Sequence, residues 1–470
     1  MIDVFLSFEN EHNLLGKEVD GFHYWAYLRW EIYKELLRIK TGSLTLRSKE
    51  KPTIKDCLNA LVNCTFRHPL IRAKQHDVLF VIHPRRVWNG ESFECIYTDE
   101  LAKSLGDLST SIEIMYDGNH LRPPSTANLL YLDYITVIHT VLSKLFKKLY
   151  RKKHIELIKI SEYLDSMIGE NFGISIGCEF ISKLMVSKYI YFAHIKKSIA
   201  HLLKKIQPKV ILEVVGYGPK QQIINEAASA LNIPTIELQH GVINQGNVAY
   251  NYLKTGDYPL FPDKIFLFGT YWMNSRFPIA KDCLAATGFP YHERLALKYP
   301  KINSDRKALR ILVLSQPHIK SELLAMVIEL LELLELKGIE YKLIYKPHPV
   351  EYLNEAEQCG ILTKFDSVTI AQSGYPLYKC FSESDIQIGV SSAAMYEGLA
   401  YNLKTFVYQL EIAEMYMDDL AKRRYARYFK NADELAGMIE DRDYFEDINA
   451  NEFFAPNSLD NILKEINKYL

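Results

Sequence analysis

Three short segments combine residue types suited to group transfer, and each stands where an apolar run ends. The first is Glu237-Leu238-Gln239-His240-Gly241, closing the run TIELQ. Glycine directly after histidine lets the backbone turn sharply and leaves the imidazole facing the ligand side of a sheet, although a structural histidine at a tight turn reads the same. The second is Lys346-Pro347-His348-Pro349, after YKLIY. Two prolines fix the backbone around His348, and with Lys346 beside it the imidazole suits a phosphate contact or a general acid; the alternative is a proline-rich strand end with an incidental histidine. The third is Gly389–Ala400, GVSSAAMYEGLA, which passes into a helix through Ser391 and Ser392. Serine caps orphan amides, and the same helix end attracts phosphate, while capping alone would account for one serine. Glu397, in the second turn, is either a partner for ribose hydroxyls or a surface glutamate.

The elements that must position these groups follow from the pattern of apolar runs. From Lys209 onward, short runs alternate with amphipathic segments, as in βαβ units and parallel sheets. Strands are expected at 209–215, 235–239, 264–268, 310–315, 341–345, 368–371, 385–390 and 404–408, with helices between them. The polar stretch YPKINSDRKAL at 299–309 is the best linker. It divides the chain into a domain over 1–300, with helical insertions, and a domain over 301–470 whose last helix, Ser458–Tyr469, is expected to pack back on the first. Two Rossmann-like halves would then face a central cleft at their strands' carboxyl ends. Before Lys209 the reading is uneven: short strands at 78–82 and 92–97, and long helices through 129–150 and 155–167.

Taken together, a His-Gly after one strand, Lys-Pro-His-Pro after another and a Ser-Ser helix start some 40 residues later resemble the GT-B bacterial glycosyltransferases. The set is similar to capsule and O-antigen transferases, bacterial sialyl- and polysialyltransferases with HP and SS motifs, and CDP-glycerol glycerophosphotransferases. The run IPTIELQHGVINQGNVAYNY, then PDKIFLFG and TGFP at Thr287–Pro290, carries the resemblance over about 210–408. It implies an α/β GT-B enzyme of surface-glycan synthesis, with a CMP- or CDP-activated donor such as a nonulosonic acid, Kdo or glycerol phosphate, and a UDP-sugar as the alternative. It implies that His348, Ser391 and Ser392 bind the donor phosphate and that His348 assists its departure; Lys346 and Glu397 join the donor side on their position and charge alone. The base is left among His240, Glu237 and Glu213, since the acidic segment of the sialyltransferases has its nearest equivalents in Asp117-Gly118 and these glutamates. An epimerase or hydrolase of nucleotide sugars, and a non-catalytic assembly component, are the rival readings.

Other residues define the acceptor side and the setting. Gly216-Tyr217-Gly218-Pro219-Lys220 lacks the spacing of a nucleotide loop, which leaves Tyr217, with Gly241, to shape the acceptor side. Arg85, in HPRR at 83–86 after VLFVI, would hold an acidic acceptor or simply stand at an exposed loop end. Asp441-Arg442-Asp443 is the one DxD triplet and reads as a solvated charge run, so no metal and no cofactor are expected. With 56 basic and 57 acidic side chains among 470 residues, the net charge of −1 argues against nucleic acid as a partner. Seven scattered cysteines without a CxxC pair indicate neither disulfides nor zinc. The N-terminal stretch does not read as a signal peptide, so a cytoplasmic enzyme is expected. The basic segments 144–154 and 194–209 interleave cations with apolar residues, as a helix face over the core does and as an interfacial helix on the inner membrane does; a lipid-linked acceptor would call for the second.

Overall fold

Short apolar runs become strands whose backbone hydrogen bonds go to one another in two separate parallel sheets, and the chain divides into two units. The computed structural model describes residues 1–41, 58–60, 62, 68–84, 86–113, 120–256, 258–302, 308–317, 319–349, 351, 360–441 and 443–470. Unit 1 comprises Met1–Leu267, Met273–Pro290 and Asn457–Leu470, and unit 2 comprises Phe268–Trp272 and Tyr291–Pro456.

In unit 1 the strands are β1 (Val78–Val81), a small hairpin of β2 (Val87–Trp88) and β3 (Phe93–Glu94), then β4 (Ser109–Glu113), β5 (Leu129–Tyr131), β6 (Val210–Val214), β7 (Thr235–Leu238), β8 (Lys264–Leu267) and β9 (Leu284–Ala286). The seven-stranded sheet runs β5-β4-β1-β6-β7-β8-β9, all parallel. Every residue of β1, β6 and β7 is buried, as helices on both faces of a parallel sheet require. Strand order reverses between β1 and β6, the position at which an open α/β sheet leaves a crevice for ligand.

Unit 2 holds β10 (Leu309–Leu314), β11 (Tyr341–Lys346), β12 (Val368–Ile370), β13 (Ile386–Gly389), β14 (Lys404–Tyr408) and β15 (Ala426–Phe429), in the parallel order β12-β11-β10-β13-β14-β15. Its order reverses between β10 and β13. Both sheets are therefore doubly wound and Rossmann-like, and two such units in one chain make the α/β class that the alternation predicts, the class of GT-B enzymes.

The first 200 residues contribute more to this plan than their pattern announces. Three strands of the first sheet, β1, β4 and β5, come from them. The helix expected over 129–150 begins only at Asp133, because Leu129–Tyr131 pairs with Ser111–Glu113 as an edge strand. The strand expected over 92–97 shrinks to Phe93–Glu94 in the hairpin.

A buried ion pair ties the N-terminal helices to the rest of unit 1. Arg29, on the helix Tyr24–Thr41, forms a fork on Glu9 of the helix Ile2–Glu11, with Nε–Oε1 at 2.7 Å and Nη2–Oε2 at 2.8 Å. Its remaining donors reach the carbonyls of Val248 at 2.7 Å and Asn251 at 3.0 Å, and its guanidinium lies 4.0 Å from the centre of the Tyr252 ring. Removing one partner of a buried pair leaves a charge without compensation. Arg29→Ala is therefore expected to lose about 3–5 kcal/mol of unfolding free energy, read as a lower urea midpoint; Lys183→Ala, whose pair with Glu179 faces solvent, should leave that midpoint nearly unchanged.

Candidate active site

The carboxyl ends of β6 and β7 bring two acids together. Glu213 and Glu237 are register partners on these adjacent strands, and both are fully buried. Asn225 Nδ2 donates to Glu213 Oε1 at 2.8 Å, and the Tyr250 hydroxyl donates to Glu237 Oε1 at 2.5 Å. The Oε2 atoms of both glutamates lack a hydrogen-bond partner among the described residues. Two negative charges do not persist side by side in such a place. Burial first, and then the charge of Glu237, push the Glu213 carboxyl well above its ordinary range. The backbone closes over the pair at Gly216, where an added Cβ would lie 2.6 Å from Glu237 Oε2 and 2.9 Å from Glu213 Oε1. The preceding Val215 has φ of 64°, a left-handed conformation that a β-branched residue holds only at a cost of about 1–3 kcal/mol.

His240 stands two residues beyond β7. Its side chain keeps 19% exposure, whereas the side chains of Glu213 and Glu237 are shut off from solvent. Nδ1 lies 3.4 Å from the Tyr250 hydroxyl and 3.7 Å from Glu237 Oε1, and Nε2 lies 3.4 Å from the Tyr217 hydroxyl. A carboxylate on the Nδ1 side favours the proton there and the lone pair on Nε2. The backbone is fixed as well: Tyr97 donates to the His240 carbonyl at 2.8 Å, and Gln239 donates to that of Gly241 at 2.8 Å. Tyr217 packs between Trp30 and Tyr250, with ring centres at 5.0 and 5.6 Å, and makes an aromatic wall beside the imidazole. His83, after β1, stacks on His240 at 6.2 Å. Arg85 and Asp117-Gly118 lie outside the described residues. Arg86 is buried against Glu113, which with Asp133 brackets His120 at 2.9 and 2.8 Å.

In unit 2 the loops after β10, β11 and β13 converge. Glu351 accepts from the backbone amide of His348 at 2.5 Å and from the Ser315 hydroxyl at 3.3 Å, and Ser315 in turn accepts from Tyr345 at 3.1 Å. This chain pins the Lys-Pro-His-Pro turn and leaves His348 half-buried. The Lys346 ammonium donates to the carbonyls of Tyr375 at 2.6 Å, Ala371 at 3.2 Å and Gln372 at 3.4 Å, and so holds the loop after β12. The amide and hydroxyl of Ser391 both donate to Gln316 Oε1, at 3.1 and 3.3 Å, which bridges the β10 and β13 loops at the strand reversal. Capping differs from the expectation. The helix is only Ala394–Leu399, its N-cap is Ala393 without a side-chain bond, and Ser392 accepts from the Ala394 amide at 3.3 Å. Six residues give too short a run of aligned peptides for a strong anion site. Glu397 accepts from the Tyr378 hydroxyl.

Glu351, Gln316 and Asn225 escaped sequence reasoning because none stands in a motif. Gln316 and Glu351 stand a few positions past a strand end and Asn225 lies within the helix Pro219–Ser229, and only tertiary contact gives each a role. Asp441 is paired with Arg427 at 2.7 Å. Among the described residues no group of three or more His, Cys, Asp or Glu is arranged to hold a metal ion, and no helix is long and apolar enough to cross a membrane.

No family model matches the chain, and no curated protein does. Similar solved structures include MurG of Acinetobacter baumannii, at 14% identity over 84% of this chain and 99% of that one, with a TM-score of 0.49. UDP-GlcNAc 2-epimerase of Neisseria meningitidis is 13% identical over 83% and 99%, with a TM-score of 0.46, and the spinosyn rhamnosyltransferase SpnG is 12% identical over 84% and 96%, with a TM-score of 0.44. Likeness at this level assigns neither reaction nor substrate.

The state of the acid pair sets a pH dependence. A carboxyl raised in the folded protein contributes its stability in full below the unfolded glutamate value of 4.5, and loses it as pH climbs toward the folded value. Glu213→Gln keeps an oxygen for Asn225 and has no proton to lose. Thermal midpoints measured from about pH 5 to about pH 8 should therefore fall less in the variant than in the wild type; parallel curves would show that Glu213 is ionised.

Proposed function

We propose that the chain is a glycosyltransferase that moves a sugar from a nucleotide-activated donor to a hydroxyl of a surface glycan or lipid-linked acceptor. His240 carries this reading: it is an imidazole at a strand's carboxyl end, partly open to solvent and backed by Tyr250 and the buried Glu237. In the proposed step the acceptor hydroxyl gives its proton to His240 Nε2 as its oxygen bonds the anomeric carbon. The bond from that carbon to the donor phosphate oxygen breaks, and the electron pair leaves on the phosphate. Glu237 offsets the charge of the imidazolium, and Tyr250 fixes the geometry between them. Glu213, neutral and closed off, keeps Glu237 in place and does not touch the acceptor. His348 and the Ser392 hydroxyl donate to the leaving phosphate, and the Ser391 hydroxyl joins them by turning from Gln316, while Lys346 shapes the loop beside them. The motif resemblance points to CMP or CDP as the nucleotide. The proposed step is metal-independent.

Melting curves with CMP, CDP, UDP and GDP test the donor site, since a ligand that binds only the native state must raise the midpoint. CMP or CDP is expected to stabilise most; a larger shift with UDP would reassign the donor, and no shift with any of them at millimolar concentration would remove the donor site. With a stabilising donor, His240→Ala should keep the shift and lose about 10²–10⁴-fold in nucleotide release to an acceptor or to water. His348→Ala should lose release with its fold intact. A sugar altered at one carbon with its nucleotide retained would identify an epimerase instead.

A further inference from the structure

Two segments of the sequence interleave cations with apolar side chains, and the structure separates them. In the helix Lys196–Ile206 the large apolar residues Ile199, Leu202, Leu203 and Ile206 are all buried, so its lysines are the solvated side of a packed helix. The helix Asp133–Leu149 is different. It buries Tyr134, Ile135 and Phe146, yet Ile138, Val141, Leu145 and Leu149 are exposed, the last at 63%. Spacings of three and four residues place these four on one stripe, about a quarter-turn around the helix from Phe146.

Lys144 and Lys148 border the stripe, and both are exposed. From Tyr134 to Ile155 the chain has six cations and no acidic residue. The next acid, Glu156, is held with Asp20 by Lys153. Attraction to the negative end of the helix accounts for Lys147 and Lys148. It gives no reason for leucines in water beside them, and a contiguous apolar stripe rimmed by charge marks an interaction surface.

We propose that this face docks on an anionic lipid bilayer, with the helix lying in the interface plane, the apolar stripe entering the headgroup boundary and the flanking lysines meeting lipid phosphates. Charge complementarity selects lipid over a second copy of the chain, because stripe against stripe would bring two sets of cations together with no acid to offset them. Docking is read without donor or acceptor, so it stands or falls apart from the transfer reaction.

The test is co-sedimentation of the full chain with vesicles of phosphatidylcholine alone and of phosphatidylcholine with phosphatidylglycerol. The chain should partition to the anionic vesicles, hardly to the neutral ones, and release as salt rises. Lys144→Gln with Lys148→Gln should weaken partition by about 25-fold, roughly fivefold for each charge, and Leu145→Gln with Leu149→Gln should weaken it at least as much. These positions are exposed, so unchanged melting midpoints will certify the fold. Absence of binding to anionic vesicles, or equal binding by the variants, overturns the proposal. So does a concentration-dependent dimer that the leucine variant abolishes in the absence of vesicle binding, which would give the stripe to a second copy.

Discussion

Two carboxyl groups on neighbouring strands, shut away from solvent, set the terms for unit 1. A second charge of the same sign is costly there, and burial, then the neighbouring Glu237, push the Glu213 carboxyl well above its ordinary range. Asn225 satisfies one oxygen of Glu213, and Tyr250 satisfies one of Glu237. The turn at Val215-Gly216 accepts an unfavourable backbone conformation so that no side chain intrudes on either. His240 then stands beside the buried Glu237 and Tyr250, with Nδ1 3.7 Å from the Glu237 carboxyl and 3.4 Å from the Tyr250 hydroxyl.

Unit 2 uses the same economy of buried anchors at its strand ends. Glu351 is buried, and it fixes the turn that presents His348 through that residue's amide and the Ser315 hydroxyl. Gln316 performs the equivalent service for Ser391 across the reversal of strand order. In both units the candidate residues His240, His348 and Ser391 stand on loops, and buried polar groups hydrogen-bond those loops in place.

What the sequence could disclose follows from how local each signal is. Alternating apolar runs marked β6 to β8 and β10 to β14, and turn chemistry marked His240-Gly241 and Lys346–Pro349, because these depend on neighbours a few positions away; the edge strands β9 and β15, Leu284–Ala286 and Ala426–Phe429, carried no such mark. Leu129–Tyr131 looked like the start of a helix since a three-residue apolar run has no period of its own; pairing with β4 decided it. Lys346 looked like a phosphate ligand because it stands beside His348 in the Lys-Pro-His-Pro turn, whereas three carbonyls 25 to 29 positions onward claim its ammonium. Arg29 and Glu9 gave no signal at all. An arginine and a glutamate on two amphipathic helices are ordinary until the fold removes both from water.

Arg29 also governs the order in which the site can come into being. Its bonds to Val248 and Asn251 span 219 and 222 positions of sequence. Contacts so distant close very long loops, and the conformational entropy of closing them is repaid only late, once both ends are already structured. The loop that carries Tyr250 is therefore among the last parts of unit 1 to settle. A fragment beginning after the N-terminal helices would contain every motif from His240 to Glu397 and still lack the guanidinium that holds this loop in register, so recognisable sequence and competent site have different boundaries in this chain.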